Sequence, residues 1–209
     1  ITTEVCNWVV SHEMKHPEGL ADQVREAIAH MEKAMGGRVF GDAENPLLLS
    51  VRSGARVSMP GMMDTVLNIG LNDTTIKGLI AKSGNERFAY DSYRRFVQMY
   101  GDVVLLIRDE NHDPFEQLLE AKKDARGVEF DTDLEAGDLR ELVAEFKVLV
   151  KERSGNAFPD DPMEQLWGAI DAVLRDCEAV DDLVRRGARG VAAVGVVVAE
   201  GVRVDLALV

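Results

Sequence analysis

The residues best suited to chemistry lie together in one short segment, residues 50–65. Arg52 and Arg56 carry permanent positive charge on a planar fork that can grip two phosphate oxygens. Gly61 lets main-chain N–H groups approach such oxygens closely, and Ser53 adds a hydroxyl donor. The segment therefore indicates a polyphosphate-binding loop, although loops of arginine, serine and glycine also occur as solvated turns. It lacks the glycine and lysine spacing of a P-loop, which excludes that kind of site.

Other polar residues give weaker signals, and no catalytic residue or metal ligand is predicted from them. Four histidines are present, at His12, His16, His30 and His112. No pair of them has a third ligand nearby in the sequence, so solvated positions are expected. Asp131 and Asp133 indicate a turn and a helix cap rather than an acid–base pair. Arg94 and Arg95 are expected on a solvated helix face, and Arg56 is as compatible with holding its loop as with binding a ligand.

Composition narrows the class of protein. The chain has 209 residues, of which 46% are apolar and 29% charged, as in an ordinary soluble globular protein. A formal net charge of −13 argues against a nucleic-acid partner, although not against a small phosphate ligand held by a local positive cluster. Because no apolar run approaches the length of a membrane helix and no leader opens the chain, no membrane partner and a cytoplasmic location are expected. Cys6 and Cys177 match no metal spacing, which predicts reduced thiols.

The pattern of apolar residues predicts a predominantly helical α+β fold. Residues 47–51 and 65–69 are expected to be paired strands, and residues 52–61 a structured loop between them. From Asp73 to about Gly155 the pattern is helical. Gly101 should weaken the middle of a helix that begins near Arg87, and Pro162 lies at the opening of a later one. Residues 192–204 are rich in valine, which favours strands.

The order of residues in and after the candidate loop carries a resemblance to a known family. The strings MPGMMDT (59–65) and LNIGLND (67–73) closely resemble the signature of the nucleotide-binding domain of pyruvate phosphate dikinase. The resemblance continues at FAYDSYRRF (88–96) and GVEFDTD (127–133) and covers roughly the first 175 residues at collinear spacing. Related dikinases such as phosphoenolpyruvate synthase share only the arginine–serine core.

The resemblance implies a domain organisation and a role for the loop. Its nucleotide-binding domain resembles ATP-grasp enzymes, in which ATP lies between two α/β subdomains. Residues 1–71 would form part of such a subdomain, residues 72–157 an inserted helical subdomain and residues 158–175 a returning helix. Residues 176–209 depart from the family and form a divergent valine-rich tail, for which a shifted reading frame or a degenerate copy is the hypothesis.

The resemblance also assigns roles to single residues. Arg52 matches an arginine that contacts the ATP phosphates. Gly61 and Met63 match positions lining the nucleotide site, and Ser53 and Arg56 complete the expected nucleotide-binding set.

The family reaction converts ATP, phosphate and pyruvate into AMP, pyrophosphate and phosphoenolpyruvate. It uses a phosphohistidine on a central domain and a C-terminal barrel that binds pyruvate. These domains, a nucleotide-contacting lysine and the Mg²⁺ ligands are expected outside this chain. The expected partners are therefore ATP and those two domains, and assembly into a homo-oligomer is left open. The alternative is a catalytically inactive, truncated fragment that acts at most as a binding or assembly module.

Overall fold

The computed structural model describes the backbone of residues 3–55, 65–107, 113–185 and 192–198. The described α-helices are α1 (Thr3–Ser11), α2 (Leu20–Ala34), α3 (Thr75–Ser83), α4 (Glu86–Val103), α5 (Pro114–Arg126), α6 (Ala136–Ser154) and α7 (Pro162–Arg185). A short 3-10 helix over Asp131–Asp133 lies between α5 and α6. The strands are β1 (Val39–Phe40), β2 (Pro46–Leu47), β3 (Leu49–Ala55), β4 (Thr65–Ile69) and β5 (Ala192–Val198). The predicted α+β fold with helices predominating is confirmed.

The strands form two small sheets. β1 and β2 make a short parallel pair, whereas β4, β3 and β5 form an antiparallel sheet with β3 in the centre. The pairing of β3 with β4 shifts register between Leu49 and Val51, and Asn68 near the end of β4 has a φ of +61°. Such a bulge bends the strand that carries the extra residue.

Local sequence explains where the helices begin and end. Asp113 accepts hydrogen bonds from the main-chain N–H groups of Phe115 and Glu116, at 2.9 and 3.1 Å, and so caps α5. Pro114 occupies the first position of that helix, where its missing N–H costs nothing. Gly127 ends the helix with a φ of +66°, a conformation that glycine adopts without strain.

We call α3–α6 the helical block. Within it α4 packs against α6, and the Phe115 and Phe146 rings meet edge to face at 5.0 Å. Gly101 has a packing role here, because a Cβ at this position would lie 2.8 Å from Cε2 of Phe115. The glycine that weakens α4 therefore makes room for an aromatic ring of α5.

The last part of the described chain rejoins the sheet. α7 continues without a break past residue 175, where the resemblance was expected to end. β5 lies within the segment 192–204 whose valines favour strands, and it pairs with the whole of β3. In the described part of the chain, no helix combines the length and apolarity needed to cross a bilayer.

Candidate functional site

Arg52 projects from a strand and not from a loop, which corrects the prediction of a loop over residues 52–61. Its main chain is paired with Thr65 on β4 and with Gly195 on β5. Ladder hydrogen bonds on both sides thus hold residues that the sequence pattern assigned to irregular structure. The Arg52 side chain is exposed, whereas the neighbouring Val51 is fully buried.

The other expected nucleotide-binding residues are placed only in part. The main chain of Ser53 continues β3 and pairs with Val194 on β5. Arg56, Gly61 and Met63 lie outside the described residues, in the segment between β3 and β4. Of the five residues predicted to bind nucleotide, Arg52 is therefore the one whose side chain has a described environment.

Buried side chains and one helix support the strand pair under Arg52. Leu49 and Val51 on β3, and Val66 and Ile69 on β4, have no solvent exposure and belong to the main core. The main-chain N–H of Leu67 lies 3.2 Å from the sulfur of Met99 on α4. α4 therefore runs against β4, and the position of Arg52 depends on packing between the sheet and the helical block.

Gln165 on α7 joins the end of β4 to the segment before α7. Its side chain is fully buried and donates two hydrogen bonds, to the carbonyls of Leu71 (2.9 Å) and Pro159 (2.8 Å). Its Oε1 accepts a third from the N–H of Gly70 at 2.8 Å. All of its hydrogen-bonding groups are engaged, which indicates an architectural role for the amide.

Asn72 organises the entry into the helical block. Its Oδ1 accepts from the N–H groups of Thr74 and Thr75, and its Nδ2 donates to the carbonyl of Asp160 at 2.8 Å. The hydroxyl of Thr75 donates in turn to the carbonyl of Gly70. Sequence reasoning did not predict these contacts of Asn72 and Gln165, because their partners on the other side of the junction are more than 85 residues away.

The expectation that Arg94 lies on a solvated face is wrong. Its side chain is 3% exposed and pairs with Asp91 at 2.9 Å and, at 3.6 Å, with Asp131. Arg95 is exposed as expected and pairs with the other oxygen of Asp91 at 3.0 Å. Consecutive residues lie about 100° apart around a helix, so one can face the core while the next faces solvent. Asp133 accepts from the N–H of Phe130, as expected of a turn residue.

Two histidines make local contacts, His30 is exposed, and His112 lies outside the described residues. His12 stacks on Trp8 with ring centroids 4.0 Å apart, and His16 Nε2 lies 2.7 Å from a carboxylate oxygen of Asp171. Among the residues with described side chains, no group of three histidine, cysteine, aspartate or glutamate residues could hold a metal ion.

Burial governs the protonation of two tyrosines. It raises the pKa of Tyr93, and the nearby Asp73 carboxylate raises it further, while burial likewise raises the pKa of Tyr100. Both phenols keep their protons at neutral pH, and the Tyr93 hydroxyl donates a 3.1 Å hydrogen bond to Asp73. Neither has the near-neutral pKa that suits a general base.

Comparison with known proteins shows which proteins the chain is similar to. No protein-family model matches the chain. The chain is 50% identical over 187 residues to "Pyruvate, phosphate dikinase" of Clostridium symbiosum, a match that covers 89% of this chain and 21% of the relative. It is 53% identical over 174 residues both to the Rhizobium meliloti enzyme and to "Pyruvate, phosphate dikinase 1, chloroplastic" of Arabidopsis thaliana. These matches cover 83% of this chain and 19% and 18% of the relatives.

The similarity places the chain in a family of kinase-type enzymes. The chain belongs to the pyruvate, phosphate dikinase family, and it spans about a fifth of the length of the curated relatives it matches.

Proposed function

We propose that this chain forms part of the ATP-binding region of a pyruvate, phosphate dikinase and that Arg52 contacts the nucleotide phosphates. The observation that carries the proposal is the position of Arg52, an exposed arginine on a strand whose neighbouring residue Val51 is fully buried. Strand pairing fixes the main chain of this arginine, so a ligand has to order only its side chain on binding.

The chemistry of Arg52 suits a phosphate, because its planar guanidinium stays charged and can bind two phosphate oxygens. In the complete enzyme the guanidinium would neutralise charge that develops on the phosphoryl group during transfer, a reaction in which positioning and electrostatics supply most of the rate. Ser53, Arg56, Gly61 and Met63 are proposed to line the same nucleotide site.

A partial ATP-grasp-like arrangement accompanies this proposal. Residues 1–71 and the helix over 158–175 would form the nucleotide-binding portion, and residues 72–157 an architectural insert. The hydrogen bonds of Gln165 and Asn72 support this division, because they join residues 70–72 to residues 159–160, where the chain enters and leaves the insert.

Magnesium would accompany ATP in the complete enzyme, but the described residues do not fit a magnesium site. Those residues offer no group of three candidate ligands. The resemblance implies that the ligands of the ion lie outside this chain, and the ion is proposed to bind there. The full reaction of ATP, phosphate and pyruvate to AMP, pyrophosphate and phosphoenolpyruvate would likewise need the phosphohistidine and pyruvate-binding domains.

Titration of the chain with ATP and Mg²⁺ in a calorimeter tests the proposal. Arg52→Ala should weaken binding about tenfold or more, the loss expected for a hydrogen bond between charged groups. Arg95→Ala is the matched control, since it removes an equal charge from an exposed helix position and should leave the affinity unchanged.

A folded wild-type chain that does not bind ATP would contradict the proposal for this polypeptide. That result would support the alternative of an inactive piece of the enzyme, acting at most in assembly. Equal losses of ATP affinity in Arg52→Ala and Arg95→Ala would show that overall charge, rather than a phosphate contact, causes the effect.

A further inference from the structure

Lys147 on α6 contacts both connections between the helical block and the sheet. Its Nζ lies 2.9 Å from Oδ1 of Asp73, where the chain passes from β4 into α3. It also lies 3.4 Å from Oδ1 of Asp160, where the chain returns towards α7. The Lys147 side chain is 20% exposed, whereas those of Asp73 and Asp160 are 72% and 69% exposed.

Two aromatic rings fix the approach of this lysine. Its Nζ lies 5.2 Å from the ring centre of Tyr93 and 5.8 Å from that of Phe158, both within the range of a cation–π contact. The Tyr93 hydroxyl donates to the same oxygen of Asp73 that Lys147 contacts. The lysine is thus held by α4, by α6 and by both connections.

The hydrogen bonds behind this cluster involve neutral groups and are buried more deeply. Gln165 joins Gly70 and Leu71 to Pro159, and Asn72 donates to the carbonyl of Asp160. They hold the two connections to each other. Lys147 adds a different constraint, because it lies on α6, within the block, and ties that helix to both connections.

We propose that Lys147 is a positioning residue that fixes the orientation of the helical block relative to the β3–β4 strand pair. Two neighbouring connections can act as a hinge, so that the helical block rotates relative to the sheet about the line through both connections. A lysine on α6 that contacts both connections restrains rotation about that line. The block then moves with the sheet as one body.

The consequence for nucleotide binding rests on the proposed function. α4 lies along β4 through the contact between Leu67 and Met99, and β4 is paired with Arg52 through Thr65. A block that rotates about its connections would move α4 and disturb the support under the arginine. Lys147→Met should therefore weaken ATP binding several-fold while Arg52 is still present.

The orientation can be measured without any nucleotide. Spin labels are attached at Glu26→Cys on α2 and Glu129→Cys after α5, both at exposed positions, in a Cys177→Ser background. Electron–electron distance measurements then give the spread of the distance between labels. A single narrow distribution is expected for wild type and a broader or shifted one for Lys147→Met. Lys147→Arg should restore the narrow distribution, because it keeps the charge.

Lys122 provides a matched control for Lys147. It too is a part-buried lysine that contacts two carboxylates, Glu145 at 2.7 Å and Glu141 at 3.1 Å, but all three residues lie within the block. Lys122→Met should lower stability and leave the distance distribution narrow. If Lys147→Met does not fold, Asp73→Asn combined with Asp160→Asn removes the same ion pairs and keeps the lysine stem.

The outcomes separate the two proposals. A narrow, unshifted distribution in a folded variant that lacks the Lys147 ion pairs would overturn the positioning role. Equal broadening in Lys122→Met would overturn it as well, since general destabilisation would then suffice. Failure of wild type to bind ATP would contradict the proposed function and leave the distance result standing.

Discussion

Arg52 on β3 lies directly opposite Thr65 on β4 in the antiparallel ladder. Paired residues in such a ladder have Cα atoms about 4.5–5.5 Å apart. The pair therefore holds the two ends of the segment 53–64 at about this distance from each other. The arginine proposed to contact phosphate therefore has a position set by the sheet. This relationship supports the proposal of a phosphate site whose arginine has its main chain fixed before the ligand binds.

The buried amide of Gln165 should contribute strongly to stability. Gln165→Leu keeps a similar volume but leaves the carbonyls of Leu71 and Pro159 and the N–H of Gly70 without this partner. We expect a loss of about 3 kcal/mol in the free energy of unfolding, measured by urea denaturation. Gln117→Leu, at an exposed position on α5, is the control and should change stability little. Equal effects in the two variants would contradict the architectural role.

Two glycines in helices should respond oppositely to alanine. At Gly101 the new Cβ would lie 2.8 Å from Cε2 of Phe115, so Gly101→Ala should destabilise by about 1–3 kcal/mol despite the better helix propensity. At Gly137 no atom lies within 4 Å of the new Cβ, so Gly137→Ala should stabilise by about 0.5 kcal/mol. Thermal unfolding of both variants checks the prediction. Stabilisation by Gly101→Ala would show that the Phe115 ring moves aside at little cost.

The adjacent arginines of α4 should differ widely in energetic importance. Arg94→Ala removes a buried cation and leaves Asp91, whose side chain is 17% exposed, without that partner, which should cost about 3 kcal/mol. Arg95→Ala removes an exposed partner of the same carboxylate and should cost at most about 0.5 kcal/mol. Urea unfolding curves of the two variants give the comparison. Similar losses would contradict the assignment of Arg94 to the core of the block.

Acid should remove the contribution of the Asp42 carboxylate to the free energy of unfolding. Hydrogen bonds from the main-chain N–H groups of Asn45 and Glu44 lower the pKa of its carboxyl group below the ordinary value. The charged form is thus favoured in the folded protein. Its contribution is fully present above the unfolded pKa of about 3.9 and is lost as the pH falls through the lower folded pKa.

The urea midpoints of wild type and Asp42→Ala should accordingly differ at neutral pH. Their difference should narrow only below about pH 4.5, where the unfolded carboxyl group begins to bind protons. An NMR titration of the Asp42 carboxyl carbon gives the folded pKa independently. A difference between the midpoints that does not change with pH would contradict this account.

Sequence alone predicted the elements whose signals are local. The strand predicted over residues 65–69 is β4, with the same bounds, and the helix predicted to begin near Arg87 is α4, which begins at Glu86. Helices and strands whose ends are set by neighbouring residues could therefore be placed to within a residue or two.

Features that depend on distant partners could not be predicted in the same way. The strand character of residues 53–55 arises from pairing with β5, which is more than 130 residues away in the chain. The burial of Arg94 depends partly on Asp131, 37 residues further on. Side-chain type and helical spacing give no information about such contacts, because tertiary packing decides them.

The most direct test of the proposal that Arg52 contacts phosphates measures how one substitution changes the affinity for two ligands. Affinities of wild type and Arg52→Ala are measured for ATP and for inorganic tripolyphosphate, each with Mg²⁺. If Arg52 contacts the phosphates, the substitution should weaken both ligands by the same factor, about tenfold or more, because adenosine takes no part in the contact. Weaker binding of ATP alone, or unchanged binding of both ligands, would contradict the assignment of Arg52 to the phosphate site.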